Sequence, residues 1–454
     1  MMRIPSQKRT VLKKNVHSLN LYSIAFLFIS LAIWFLVPIV GIFPLLLFVQ
    51  VNLLKAEKPS KNIVFLNNLI LILIFFTVCI LFSSYTIYSD LVSYIQTYES
   101  LGYLNLLDAT SSYGTGIEII PFLIAYLVYK LADGSVYEYL FIHALIINGL
   151  VIFVISKKLS TKYYPLLLIG VFSTPFYYWQ AVIMRHSLSN VFLMTAIAFI
   201  ESSSVSFFSY LLLATFSHSS NFINVGILFI LKIYKNKFTN IYLSKTSRIN
   251  LQAITKTTIV IIFISAILFV FVGRGIPLTI VLPLLNLFKF GESYSLMLEN
   301  KLINYESYDA MVGVNIVDKT IFLFMQIGVL ISLVKTKKLQ SKNLALIIIF
   351  STQFVSYVSV IISLVNWRIY FLLISMHGLF YIPIIENIIT RNAFWHRIIM
   401  ISVAIIISYN FVLLFRGLTG GWIVQPEHIF FNGRPLEMNL FDYLEFFINA
   451  TPNR

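Results

Sequence analysis

Residues 179–221 read WQAVIMRHSLSNVFLMTAIAFIESSSVSFFSYLLLATFSHSSN. Two apolar segments are joined here by a short polar turn at 201–204, which predicts a helical hairpin. A hairpin returns the chain to the side from which it came, so Arg185 and His218, at its open ends, are expected on the same face. An arginine at the rim of an apolar helix is costly to bury, which makes Arg185 a functional candidate. The alternative is an arginine that extends to the lipid headgroups.

The composition predicts a membrane protein. The chain has 454 residues, of which 59% are hydrophobic and 11% are charged, whereas about 25% of the residues of soluble domains are charged. Apolar runs of about 17–23 residues, long enough to cross a bilayer, recur along the chain. We therefore predict an all-α polytopic integral membrane protein that forms a single membrane domain over residues 1–454.

The net charge of +15 raises the question of a nucleic-acid partner, and we predict none. In a membrane protein the lysines and arginines mark the cytoplasmic loops, so the expected partner is the lipid bilayer. The single cysteine, Cys79, lies inside an apolar run. It cannot form an intrachain disulfide, and we expect it to pack in the interior.

The segment 117–131 decides the topology, because it is apolar but only about fifteen residues long. If it lies on the outer face as a juxtamembrane helix, most lysines and arginines fall on the cytoplasmic side, as the positive-inside rule requires. If it crosses, the later lysine clusters move outside. We therefore predict about thirteen transmembrane helices in a bacterial inner membrane, with the N-terminus in the cytoplasm and the C-terminus outside. The expected spans are a hairpin over 20–54 and segments near 62–84, 137–156, 163–179, 185–201, 206–217, 219–234, 257–273, 319–334, 343–364, 369–386 and 397–415.

Three outer regions follow from this topology. Residues 85–136 contain the juxtamembrane helix and otherwise read as a polar, tyrosine-rich loop, 274–318 form a second loop, and 416–454 form a tail. The polar residues at helix ends and in loops of this face are Asp90, Tyr94, Tyr98, Glu118, Arg185, His186, His218 and Arg368.

These residue types suit chemistry on a phosphate and a sugar. Paired arginines bind phosphate or pyrophosphate oxygens with their guanidinium forks. A carboxylate can take the proton of a sugar hydroxyl, and tyrosines can stack on sugar rings. The sequence has no HExxH or DxD motif, cysteine cluster or glycine-rich phosphate loop, so we predict no metal and no cofactor.

Each candidate also has a purely structural explanation. Asp90 and Glu118 would serve as helix N-caps, and the spaced tyrosines would pack at the bilayer interface. His218 would bond to a neighbouring carbonyl group, and Arg368 would pair with an outer carboxylate. The sequence leaves these alternatives open.

Four motifs carry a resemblance to a known family: SDLVSYIQTY (89–98), GIEIIPFLIAYLVYKLADG (116–134), VIMRHSLSNVFLMTAIAF (182–199) and LLLATFSHSSNFI (211–223). In order and spacing they resemble the EpsG-like family of bacterial exopolysaccharide and O-antigen synthesis, whose members often act as Wzy-type polymerases. The family pattern has Arg-Gln where this chain has Arg185-His186. A later arginine-tyrosine pattern is matched by WRIYF, which adds Arg368 and Tyr370.

The plan of the chain is also similar to that of GT-C glycosyltransferases. Those enzymes place an acidic residue in the first large outer loop and follow it with juxtamembrane helices. Asp90 and the segment 117–131 fit that plan. This likeness implies a GT-C-like fold with outer-face juxtamembrane helices.

The resemblance implies a glycosyltransferase that polymerises undecaprenyl-pyrophosphate-linked oligosaccharide repeat units of an exopolysaccharide, capsule or O-antigen on the outer face. Both donor and acceptor would be lipid-linked. Asp90 or Glu118 would assist the acceptor hydroxyl, while His218 would position or protonate a reacting group. The implied substrate-binding residues are Arg185, Arg368, Tyr94, Tyr98, His186 and Tyr370. The sequence leaves open whether a chain-length regulator binds the tail.

Three other functions are compatible with parts of the pattern. A single-addition GT-C enzyme that uses a polyprenyl-phosphate sugar would have the same outer site but would make no ladder of chain lengths. A flippase or exporter of the lipid-linked unit should carry charges along a central cavity. The apolar segments are almost free of charge, which favours an enzyme. A structural partner of a synthesis complex is the third alternative.

Overall fold

Helices form every element in the part of the chain that the computed structural model describes. The described residues are 21–55, 60–83, 90–105, 108, 118–159, 162–218, 221–241, 341–359, 371–380, 393–418 and 438–450. The all-α prediction is confirmed over these ranges. Arg368, Tyr370, the loop 274–318, the spans 257–273 and 319–334 and most of the tail lie outside them.

The first apolar run forms the predicted hairpin. Helix α1 (Leu21–Leu36) ends next to helix α2 (Pro38–Lys55), and the two pack against each other. Pro38 begins α2 because a first-turn residue needs no backbone N–H. Helix α3 (Lys61–Ser83) follows.

The region between α3 and the second half of the bundle contains two short helices. Helix α4 (Asp90–Ser100) lies within the stretch that the sequence reading treated as a loop, so that reading was wrong there. Helix α5 (Ile119–Leu131) coincides with the segment predicted to be a juxtamembrane helix, and its position relative to a membrane stays a prediction. Its 13 residues extend about 20 Å, less than the hydrocarbon thickness of a bilayer.

A tight turn connects α5 to helix α6 (Val136–Phe153), which continues to Leu159 as a π-helix. Asp133 and Gly134 both have positive φ values, 47° and 81°, a conformation that glycine adopts without steric cost. Ser135 then caps α6, because its hydroxyl accepts a hydrogen bond from the backbone N–H of Glu138.

The predicted span 163–179 is not one continuous helix. Helix α7 (Tyr164–Phe172) ends after nine residues, and a short helix α8 (Pro175–Tyr178) and a 3-10 turn (Trp179–Ala181) follow. Pro175 explains the break, since a proline cannot donate the backbone hydrogen bond that would continue α7.

The central hairpin is confirmed. Helix α9 (Met184–Phe199) and helix α10 (Ser204–Ser217) pack along their length. Ser203 begins α10 by accepting a hydrogen bond from the backbone N–H of Ser206. The polar turn thus ends one helix and caps the next.

The remaining helices surround this core. They are α11 (Phe222–Ile241), α12 (Ser341–Ser359), α13 (Phe371–Met376) with a 3-10 turn (His377–Phe380), α14 (Ala393–Leu418) and α15 (Leu440–Ala450). Helix α15 belongs to the predicted tail and packs against α1 and α3. Its Phe441 ring meets the ring of Phe35, near the end of α1, at 5.2 Å.

Lysines gather at one end of the bundle, which we name the basic end. Lys157 donates to Asn68 near the start of α3, and the Lys158 ammonium lies 4.7 Å from the Phe199 ring at the end of α9. Lys232 donates to the carbonyl of Ile200 (2.7 Å), and Lys342 donates to that of Leu159 (3.2 Å). Four lysines from three separate segments therefore share one end.

Within the described ranges, two helical segments are both long and apolar enough to cross a bilayer: Lys61–Ser83 and Val136–Leu159. The other apolar helices among these residues are shorter. The number of about thirteen spans stays a prediction.

Gly378 offers a test of the packing between the 3-10 turn and α7. A Cβ at this position would lie 2.9 Å from the backbone of Gly170 and of Leu167. Because backbone atoms cannot move aside as side chains do, we expect Gly378→Ala to destabilise the protein by about 1–3 kcal/mol. The measurement is the apparent melting temperature of the purified protein in detergent.

Gly226→Ala is the matched control. A Cβ on Gly226, inside α11, would meet no atom within 4 Å, so the substitution should leave the melting temperature unchanged or raise it by the equivalent of about 0.5–1 kcal/mol. Equal melting temperatures for the two variants would contradict the close approach of Gly378 to α7.

Candidate active site

Glu118 joins two distant parts of the chain at one carboxylate. Its Oε2 atom lies 2.6 Å from Nη1 of Arg185, and its Oε1 atom lies 2.6 Å from Nδ1 of His218. The side chain is only 6% exposed. Although Glu118 immediately precedes α5, its carboxylate makes no capping hydrogen bond there. The capping explanation for Glu118 is therefore excluded.

The α9–α10 hairpin places the two partners of this carboxylate. Arg185 lies in the first turn of α9, and His218 directly follows the last residue of α10. The hydroxyl of Ser189 donates to the carbonyl of Ala214 at 2.6 Å, which ties the open ends of the hairpin together. Their contacts with one side chain place Arg185 and His218 at the same end of the bundle, whereas their position on one face of the membrane stays a prediction.

Tyr94 completes the surroundings of the arginine. Nε of Arg185 donates to the Tyr94 hydroxyl at 3.1 Å, and the guanidinium carbon lies 5.4 Å from the centre of the Tyr94 ring. Two bonds on separate nitrogens fix the plane of the guanidinium group. The Arg185 side chain is still 21% exposed, so it is not fully enclosed by the protein.

His186 lies behind His218. The two imidazole rings meet edge to face at 5.0 Å, and the His186 ring contacts Phe371 of α13 at 5.7 Å. His186 is buried. His186 therefore packs against the His218 ring in the protein interior.

Tyr98 belongs to the packing between α4 and α6. Its hydroxyl donates to the carbonyl of Ser135 at 3.2 Å, and its ring is stacked on that of Tyr139 at 4.3 Å. Burial, with a smaller contribution from the Glu138 carboxylate, raises the pKa of Tyr98. Tyr98 thus anchors α4, while Tyr94, one turn earlier, faces Arg185.

Asp90 begins α4 and lies one helical turn before Tyr94, on the same side of the helix. The structure therefore brings Glu118, Arg185, His218, Tyr94 and His186 together, with Asp90 near them. Arg368 and Tyr370 lie outside the described residues.

The site lies at the end of the bundle opposite the basic end. Asn148 of α6 contacts Cys79, which lies one turn before the end of α3. Helix α6 runs antiparallel to α3, so residues earlier in α6 lie closer to the end of α3. His143, more than one turn before Asn148, hydrogen-bonds to the backbone of Met184. Met184 directly precedes Arg185. The ion pair is therefore level with the end of α3, one of the two helices of bilayer length.

A cluster of buried asparagines beside the site was not predicted from the sequence. The Asn221 carboxamide donates to the Ser189 hydroxyl (2.8 Å) and to Oδ1 of Asn190 (2.9 Å), and it accepts from Asn224 (2.9 Å). All four residues are buried. The available signal was the presence of asparagines within and directly before apolar helices, where polar side chains need partners.

The arrangement has the parts of an acid–base pair beside an anion-binding cation. Because the carboxylate of Glu118 accepts from Nδ1 of His218, the imidazole has its other nitrogen, Nε2, available as a proton acceptor. The guanidinium group of Arg185 can bind a phosphate oxygen. In the part of the chain that the structure describes, no three His, Cys, Asp or Glu side chains could hold a metal ion together.

Glu118→Gln tests the electrostatic role of the carboxylate. The variant would leave the Arg185 charge without its buried counter-charge, so we expect a loss of stability of about 2–3 kcal/mol, read as a lower melting temperature in detergent. The matched control is Glu99→Gln, because Glu99 is exposed on α4 and its loss should change stability by less than about 0.5 kcal/mol.

A double variant separates charge from shape. Glu118→Gln combined with Arg185→Met should regain part of the lost stability, because no unpaired charge remains. A wild-type melting temperature for Glu118→Gln alone would contradict the structural importance of this pair.

Comparison with known proteins identifies the family. No curated protein and no solved structure matches the chain. The sequence profile described as the EpsG family matches residues 67–423, a range that includes every site residue described above. This match confirms the resemblance carried by the four motifs. The chain therefore belongs to the EpsG family, and this membership implies a polysaccharide-polymerase-like membrane protein.

Proposed function

We propose that the protein is a membrane glycosyltransferase that polymerises undecaprenyl-pyrophosphate-linked oligosaccharide repeat units on the outer face of the bacterial inner membrane. The observation that carries the proposal is the carboxylate of Glu118, which holds a histidine and a partly exposed arginine at one point. Family membership supports the polysaccharide product. The product would be an exopolysaccharide, a capsule or an O-antigen.

The reaction is the attack of a sugar hydroxyl on the donor glycan. The hydroxyl oxygen of an incoming lipid-linked repeat unit forms a bond to the anomeric carbon of the growing chain. The bond from that carbon to the pyrophosphate breaks, and undecaprenyl pyrophosphate leaves with the electron pair. The hydroxyl proton passes to Nε2 of His218, while Glu118 keeps the imidazole in the required tautomer.

Arg185 stabilises the charge that develops on the leaving pyrophosphate. Its guanidinium is always charged, and Tyr94 and Glu118 hold its plane before the substrate arrives. A cation that is already in place lowers the energy of the transition state more than one that must rearrange. In this proposal Arg368 and Tyr370 would add to the same pyrophosphate site, and Asp90 would bind the acceptor sugar.

The proposed orientation in the membrane rests on the difference between the two ends of the bundle: one end carries lysines and the other carries the candidate site. Lys157, Lys158, Lys232 and Lys342 lie together at the basic end, and positive charge is typical of the cytoplasmic side. The site at the opposite end would then face outward. In this arrangement α5 is a juxtamembrane helix, the N-terminus is in the cytoplasm and the C-terminus is outside.

Substitutions of Arg185 and His218 test the mechanism. In a host strain that lacks the protein, Arg185→Ala and His218→Ala should each reduce polymer formation by about 100-fold or more. Arg185→Lys keeps the charge but loses the fork, so we expect a partial loss of about 10-fold. Polymer amount and chain length are read from the ladder of lipid-linked glycans on a gel.

Glu99→Gln serves as the control for expression and folding and should give a wild-type ladder. An unchanged ladder for Arg185→Ala and His218→Ala at normal protein levels would refute the mechanism. A single added sugar in place of a ladder from the wild-type protein would instead indicate a single-addition glycosyltransferase.

Cysteine labelling tests the orientation. Tyr103, after α4, is 96% exposed, and Ser202 is exposed in the turn between α9 and α10. In a Cys79→Ser background, Tyr103→Cys should react with a membrane-impermeant thiol reagent in intact cells. Ser202→Cys should react only after lysis. The reverse pattern would place the site on the cytoplasmic face.

A further inference from the structure

His218 is not held by helical geometry. Helix α10 ends at Ser217, and His218 has extended backbone angles, φ −160° and ψ 126°. Its backbone N–H still donates to the carbonyl of Ala214, at 3.3 Å. The direction of its imidazole therefore depends on what fixes the chain after α10.

Asn221 fixes that part of the chain. Its backbone N–H donates to the carbonyl of His218 at 3.3 Å, so both polar groups of the His218 main chain are bonded. Its side chain donates to the Ser189 hydroxyl, which in turn donates to the carbonyl of Ala214. The bonds form a closed ring from Ala214 through Ser189 and Asn221 to His218 and back to Ala214.

The carboxamide of Asn221 has a single orientation. Its nitrogen donates to Ser189 and Asn190, and its oxygen accepts from Asn224. A flipped amide would set its oxygen against Oδ1 of Asn190 and its nitrogen against Nδ2 of Asn224, and so would lose two of the three hydrogen bonds. Asn221 is 1% exposed, and both polar atoms of its carboxamide have hydrogen-bond partners, whereas Nδ2 of Asn190 has none among the described residues. The ring therefore ties the residue after α10 to α9, the helix that carries Arg185.

We propose that Asn221 is the positioning residue for His218: it holds the imidazole against Glu118 and in register with Arg185. Asn221 acts through His218 and touches no substrate. The inference rests on the proposed function, in which His218 takes the proton of the acceptor hydroxyl. A misplacement of a catalytic group by about 1 Å can reduce a rate by about 100-fold.

The competing explanation is that the asparagines only hold helices together, as interhelical hydrogen bonds do in membrane bundles. The two explanations predict different effects of an Asn221 substitution in the presence and in the absence of the His218 imidazole. A residue that acts through His218 has no effect on the rate once the imidazole is gone. A residue that only stabilises the bundle lowers the amount of folded protein by the same factor whether or not the imidazole is present.

A double-mutant cycle separates them. The four proteins are wild type, Asn221→Ala, His218→Ala and the double variant, each in membrane vesicles supplied with lipid-linked repeat units extracted from the host strain that lacks the protein. Initial rates of polymer formation are normalised to folded protein. We expect Asn221→Ala to lower kcat by about 10- to 100-fold with KM changed less than twofold, and to have less than a twofold effect in the His218→Ala background.

Two further variants distinguish a positioning effect from a loss of folding. Asn224→Ala removes one bond to the Asn221 carboxamide and leaves its two donated bonds, so it should lower kcat by a smaller factor that also disappears in the His218→Ala background. Ser187→Ala is the matched control, because the Ser187 hydroxyl is buried on α9 and has no hydrogen-bond partner among the residues that the structure describes. It should retain wild-type kcat.

The outcomes separate this inference from the proposed function. A wild-type normalised rate for Asn221→Ala, or equal losses with and without the imidazole, would overturn the positioning role while leaving His218 as the base. A wild-type rate for His218→Ala would overturn the role of His218 in the proposed function itself. A raised KM with unchanged kcat for Asn221→Ala would also contradict positioning, because it would indicate a contact with the substrate.

Discussion

The burial of one carboxylate is the constraint on which this structure depends. An ionised carboxylate that leaves water without partners loses several kcal/mol of solvation free energy. Glu118 regains it from Arg185 and His218, which come from the two helices of one hairpin, at its open end. Tyr94 fixes the arginine and the Asn221 ring fixes the segment after α10. The polar groups of four helices are thus arranged around a single negative charge.

Much of this arrangement could be predicted from local sequence. The α9–α10 hairpin follows from two apolar runs and a polar turn, and a hairpin by itself brings Arg185 and His218 to one side. The contact of Glu118 with both Arg185 and His218 could not be predicted in this way, because one sequence contains no distances between remote segments. Tyr94 and Tyr98 looked equivalent for the same reason. Tyr94 faces α9 and Tyr98 faces α6, and only the packing distinguishes them.

The errors in the helix prediction have a common physical cause. Apolar composition measures the free energy of transfer from water, whereas helix continuity depends on backbone hydrogen bonds. The run 163–179 is apolar throughout but is broken before Pro175. Helix α4 shows the reverse case, since its polar residues suggested a loop although its buried side, with Leu91 and Ile95, packs against the bundle.

The order of the site residues along the chain has a consequence for biosynthesis. Glu118 precedes Arg185 by 67 residues and His218 by 100 residues. During synthesis its carboxylate must therefore stay hydrated until the later hairpin has been inserted, because no partner exists to neutralise it in the bilayer. A short helix that stays at the membrane surface meets this requirement. Assembly of the site is then a late event of membrane insertion, completed when α9 and α10 pack against the carboxylate of Glu118.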